Sequence, residues 1–200
     1  MTLQEMIASK DTPISEIGAW LDSLPHEERL EAVVGLGKAH QRSLFERADP
    51  AITLDHFVPP GVGPLVEVIH HGRNTLPAFK RFQKRFCRPA EGSGRLFGYN
   101  EGATRGLIGP GFFVTVPTRG NPAWEQRGAV VVDYFQVPDA PVVEGWPRVV
   151  PNTRGLQVFV YNKTRDFMRR VSNHVSIGAA YKEEKAIGAW FVLCREDVAG

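Results

Sequence analysis

The chain has 200 residues, 42% of them apolar, with 24 Lys/Arg against 22 Asp/Glu and a net charge of +2. That suffices for one sizeable core with a small helical appendage, and no run of about 18 apolar residues is available to span a membrane. Two cysteines, Cys87 and Cys194, are too few for a disulfide framework or a zinc knuckle, and early acids with no apolar stretch at the N-terminus argue against a secretory signal, so a cytoplasmic protein is expected.

Charge is unevenly placed. Residues 1–50 hold five Lys/Arg against nine Asp/Glu, whereas residues 51–200 hold nineteen against thirteen. An anionic partner is therefore to be sought in the later part.

Residues 1–50 read as a helical segment packed on the main domain. Ile14, Ile17, Trp20, Leu21 and Leu24 recur at three-and-four spacing and make one apolar stripe. Pro25 followed by Glu27 and Glu28 suits the start of a second helix, whose core face runs from Leu30 to Phe45 before Asp49-Pro50 stops it.

Residues 51–200 read as an antiparallel β-rich domain. Thirteen of the fifteen prolines fall between Pro50 and Pro151 and separate short apolar, β-branched runs. Strands are expected at 52–58, 65–70, 95–101, 112–117, 128–137, 156–161, 171–181 and 186–195. About eight strands are enough for a curved sheet or incomplete barrel, which gives an α+β fold. Between them, residues 75–88 carry Leu76, Phe79, Phe82 and Phe86 at helical spacing opposite Lys80, Arg81, Lys84, Arg85 and Arg88, which predicts a basic amphipathic helix. A second basic run, NKTRDFMRR, also has a helix-like pattern. Residues 138–155, with four prolines and no periodicity, read as a long loop of the kind that covers a site.

In residues 95–107 the even positions carry Leu96, Gly98, Asn100, Gly102, Thr104 and Gly106, and the odd ones carry Phe97, Tyr99, Glu101 and Arg105. In an extended strand one face is therefore nearly bare, which lets a ligand approach or lets a sheet bend to close a barrel. The final hairpin, turning at Glu183-Glu184, is expected to set Ala179 opposite Gly188, Ile177 opposite Trp190 and Val175 opposite Val192. The glycine run 106–111 is not a phosphate loop, because the strand FFVTV follows it in place of Lys-Ser/Thr and a helix.

Several side chains are candidates for chemistry. Gly98, Asn100, Gly102, Arg105 and Tyr134 suit a ligand pocket, since a few polar groups in an apolar barrel orient a small molecule. Lys80, Lys84, Arg165 and Arg169 are candidate anion contacts. His71, Glu101, Asp133 and His174 are the candidate acid–base groups. No metal site is expected, because His70 and His71 point to opposite faces of an extended chain. His174 between Ser172 and Ser176 reads as a polar notch. No sequence pattern names a cofactor.

The reading is a small-molecule-binding, barrel-like protein with a pocket for a partly apolar, anionic ligand. Two alternatives stand beside it: an acid–base enzyme acting in that pocket, and an interaction protein docking nucleic acid, an acidic partner or a membrane surface through the basic helix. Nucleic acid is the weaker partner, because the basic bias is small and no base-stacking motif is present.

Overall fold

In the computed structural model, which describes residues 1–77, 80–92 and 94–197, eight antiparallel strands close into a barrel. They are β1 (Val68–Asn74), β2 (Arg81–Cys87), β3 (Leu96–Glu101), β4 (Phe113–Pro117), β5 (Val130–Asp133), β6 (Thr164–Arg170), β7 (Val175–Lys182) and β8 (Lys185–Arg195). Each strand pairs with its neighbour in sequence, and β8 returns to pair with β1. Closure leaves no sheet edge unpaired.

Alternation sorts the side chains into an interior and two outer layers. Val68, Phe86, Leu96, Phe113, Val132, Met168, Phe191 and Leu193 fill the interior. The bare face of β3 also points inward: a Cβ on Gly98 would lie 2.3 Å from the Phe113 ring and 2.5 Å from the Arg85 carbonyl oxygen. Glycine is required there so that a large ring can cross the barrel.

The helices α1 (Leu3–Ala8), α2 (Ile14–Ser23), α3 (His26–Val34) and α4 (Lys38–Arg47) cover the outer face of β7 and β8, where Ile17, Leu21, Val33 and Leu44 pack with Val175, Ile177 and Val192. Barrel arginines reach the carbonyl ends of these helices. Arg73 donates to the Val34 carbonyl, and Arg169 donates to that of Phe45 at 3.1 Å. Cations suit these ends, where helix carbonyls lack partners and carry partial negative charge. On another side, residues 138–155 form neither helix nor strand, and Ala140, Val142, Val143 and Trp146 pack over Phe97 and Val114. A short helix, α5 (Leu54–Phe57), plugs one end of the barrel with the fully buried Phe57.

Five expectations are corrected. Residues 81–87 are strand, not basic helix; part of that segment, residues 78–79, lies outside the described residues. Phe82, Lys84 and Phe86 satisfy a two-residue period as well as a helical one, and backbone pairing on both sides with β1 and β3 decides between them. For the same reason TRDFMRR is β6, held between β5 and β7. Conversely, residues 52–58 contain α5, and residues 156–161 contain a helical turn, in place of two expected strands. The second N-terminal helix is broken into α3 and α4 by residues 35–37.

In the last hairpin Glu183 and Glu184 both take positive φ, +48° and +66°, as a two-residue turn demands. A bulge then shifts the pairing: Tyr181 faces Ala186, but Ala179 faces Trp190, Ile177 faces Val192 and Val175 faces Cys194, in place of the expected partners. Gly188, at φ +65°, lies within the bulge.

Candidate functional site

A cavity of about 330 Å³ occupies the half of the barrel away from α5. Its floor is polar. The Lys84 ammonium, 2% exposed, stands 3.1 Å from Asp166 Oδ2, donates to Asn100 Oδ1 at 3.1 Å and also donates to the Tyr134 hydroxyl. Three donors thus meet three acceptors. The rings of Phe113, Tyr134 and Phe191 lie about Lys84 Nζ at 5.0, 4.9 and 5.0 Å from their centroids, so their π-faces add to the field that holds the cation.

Backbone geometry sets each member. Lys84, Asn100 and Asp166 occupy inward positions of β2, β3 and β6, and Tyr134 follows β5 with its backbone N–H bound to the Thr164 carbonyl. The Asn100 amide is oriented by donating to the Gly111 carbonyl at 2.9 Å, which leaves its oxygen for Lys84.

The glycine turn beyond α6 (Arg105–Ile108) exists to admit two side chains. Gly109 and Gly111 take φ +112° and +53°, and added Cβ atoms would lie 2.5 Å from Gln157 and 2.5 Å from the Tyr161 ring. Gln157 opens the helical turn α7 (Gln157–Val160) and accepts the Gly111 N–H at 2.8 Å. Tyr161 then stacks on Tyr134 with centroids 5.3 Å apart and planes 17° apart, forming part of the cavity wall.

Burial dominates the electrostatics of this floor. It lowers the Lys84 pKa, opposed by the neighbouring Asp166 carboxylate, and raises that of Asp166, opposed by Lys84. Both shifts favour the neutral forms of the pair. Burial also holds the Tyr134 phenol well above its ordinary value and pushes Tyr161 up to about 12, so both hydroxyls stay protonated.

The rim is mixed. Leu76, Val160 and Ile187 line it while 42%, 40% and 49% exposed. Arg81 and Arg105 also line it; Arg105 is engaged by Glu101 at 2.8 Å, whereas Arg81 makes no ion pair among the described residues.

The sequence-derived candidates divide as follows. Asn100, Gly102, Arg105, Tyr134, Lys84 and Glu101 line the cavity; Gly98 lies deeper, filled against by Phe113. Lys84 is corrected from a solvated helix residue to a buried one, since β2 turns it inward. Lys80, Arg165 and Arg169 are not among the cavity's lining residues. Arg165 pairs with Asp133 at 3.3 Å and with Glu184, and Arg169 clamps the Arg127 and Phe45 carbonyls.

Three acid–base candidates are placed elsewhere. His71 faces outward to Glu196 at 2.6 Å, while His70 is buried inside the barrel, as strand alternation requires. Asp133 accepts the Phe135 N–H at 2.9 Å and ties a turn. His174 sits in the turn between β6 and β7 and lies 3.1 Å from Asp197; the Ser172 hydroxyl caps that turn, so the polar notch is not one strand face. Asp166 was missed by sequence reasoning, although it is the lone acid inside the second basic run.

Comparison with known proteins finds no matching family model, no similar curated protein and no similar solved structure. Among the described residues no group of three or more His, Cys, Asp or Glu is arranged to hold a metal ion, and no helix is long and apolar enough to cross a membrane.

Proposed function

We propose that this protein binds a small molecule inside its barrel, with an apolar body against the aromatic wall and one polar group on the Lys84, Asn100, Tyr134 and Asp166 floor. The observation that carries the reading is the cavity itself. A barrel that needed only to fold would fill this volume with side chains, whereas here about 330 Å³ stays open above a buried polar cluster. The apolar rim at Leu76, Val160 and Ile187 suits entry of an apolar body, and Arg81 supplies a cation for an anionic group left at the mouth.

Gly102 provides the test. A Cβ there has no neighbour nearer than 3.8 Å, so the backbone at 102 accepts a side chain, and Gly102→Leu is chosen to occupy cavity space. Native mass spectrometry of the purified protein, with calorimetric titration of small aromatic carboxylates, should show a ligand held by the wild type. Gly102→Leu should lose it at an unchanged melting temperature. Equal binding in both proteins would refute the cavity as the site.

A second reading, an acid–base enzyme in the same cavity, is favoured by the buried Lys84–Asp166 pair, because burial draws both the amine and the carboxyl toward their neutral forms and so brings them closer to exchanging protons with a ligand. It requires Asp166→Asn to abolish turnover while binding persists. The docking alternative loses its foundation, since the segment expected to be a basic helix is a barrel strand whose Lys84 is buried.

A further inference from the structure

The end of the barrel closed by α5 carries a second cavity, of about 260 Å³, lined by Thr53, Asp55, His56, Arg170, Asn173 and Arg195 among others. We propose that this cavity binds a small oxyanion, a phosphate ion or the phosphate group of a monoester, between Arg170 and Arg195. The proposal is independent of the barrel cavity.

Arg195 is the central observation. It is 8% exposed, its Nη1 donates to the His56 carbonyl, and its Nε is buried with no hydrogen-bond partner. Among the described residues no carboxylate lies within ion-pair distance of Arg195 or of Arg170; the two acids that act on Arg195 from further away are engaged elsewhere, Asp197 by Arg29 and His174, each at 3.1 Å, and Asp22 by the Asn173 backbone N–H at 3.0 Å. A buried guanidinium without a counter-charge is costly, and it is unusual unless an anion completes it.

The remaining lining supplies donors. Arg170 is exposed and contacts the Ser172 carbonyl and the Asn173 amide oxygen, both neutral. His56, also 8% exposed, has an unpartnered Nε2; burial, and then the nearby His70, Arg195 and Arg170, hold its pKa well below the ordinary value, so a neutral imidazole is available to donate. The Thr53 hydroxyl makes no capping bond to α5. The one acid in the lining, Asp55, is paired with Arg88 at 3.0 Å. Two fixed cations with neutral donors around them match the charge and the several acceptor oxygens of a phosphate.

Inorganic phosphate, titrated at low ionic strength with calorimetry and ³¹P NMR on the full chain, should bind at one site and raise the melting temperature. Arg170→Gln removes an exposed cation and should melt as the wild type does without phosphate while binding at least about tenfold more weakly, the size of one lost charge-assisted contact. Thr53→Val should weaken binding less, and Glu101→Gln, in the other cavity, should leave it unchanged. Tighter binding of glycerol phosphate would assign the site to a monoester, and tighter binding of inorganic phosphate to the free ion. The proposal is overturned if the wild type shows no saturation by about 20 mM phosphate, or if Arg170→Gln binds as tightly as the wild type.

Discussion

Lys84 and Asp166 belong to β2 and β6, which stand four apart in a ring of eight, so their 3.1 Å ion pair spans the barrel interior. Such a pair joins opposite walls and divides the lumen into a packed half and an open half. Removing one partner leaves the other charge buried, and Lys84→Met or Asp166→Leu alone should cost about 3–5 kcal/mol. Replacing both by apolar residues, as in Lys84→Met with Asp166→Leu, should recover most of that loss. Urea unfolding of the four proteins measures the coupling; additive losses would mean that the two groups do not act as a pair.

Acid sensitivity should come from the plug end. Burial holds His70 down to about 3, partly opposed by its hydrogen bond to the Phe57 carbonyl, while an exposed histidine titrates near 6.5. Between those values the unfolded chain binds a proton that the folded chain does not. Stability therefore falls as pH drops from 6.5 toward 3, by about 1.4 kcal/mol per pH unit for this residue, and is unaffected by it above 6.5. His56, shifted in the same direction, steepens the loss. Unfolding free energies at several pH values should show His70→Gln with a slope smaller by about one proton; an unchanged slope would be evidence against a neutral, buried His70.

Gly98→Val should be strongly destabilising. Its Cβ would enter the space of the Phe113 ring and the Arg85 carbonyl, and overpacking of this kind costs about 1–3 kcal/mol or more. Combining it with Phe113→Leu should restore part of the stability in thermal melts. A single variant that melts normally would contradict the packing described for β3.

The bulge in β8 decides the fate of two adjacent aromatic rings. Phe191 is turned into the interior at 5% exposure, whereas Trp190 is only partly buried and has Lys38 Nζ 5.7 Å from its ring. Phe191→Ala should cost about 3–5 kcal/mol, and Trp190→Ala clearly less, about 1–3 kcal/mol. The reverse order would restore the unbulged pairing.

Trp146 fastens the middle of the covering loop, whose later part is held by Asn152 through the Phe112 and Tyr134 carbonyls. Trp146 Nε1 donates to Glu67 Oε2 at 2.6 Å and its ring meets Tyr99 edge-on, with centroids 4.9 Å apart. Trp146→Ala should open residues 138–155 to proteolysis while leaving the barrel folded. Limited digestion followed by mass mapping locates the new cleavage sites, and unchanged resistance there would show that the apolar contacts of Val142 and Val143 suffice.

Local pattern by itself determined the helical N-terminal segment, the strand-rich remainder, the turn at Glu183-Glu184 and the bare face of β3, because each depends on residues close in sequence: apolar spacing, proline placement and alternation. It also singled out Asn100, Gly102 and Tyr134, which line the cavity. Two basic stretches were ambiguous for a physical reason. Phe82 with Phe86, and Phe167 with Met168 and Val171, fit more than one period, and only the neighbouring strands, distant in sequence, settle that the chain is extended there. Strand geometry then reverses the meaning of a residue: Lys84, which on a helix would be solvated, becomes a buried cation, and Asp166 becomes its partner. Closure of the barrel, the plug of α5 and the meeting of opposite strands are decided by tertiary structure, because the floor of the cavity is assembled from β2, β3, β6 and the residue after β5, and no short stretch of sequence contains it.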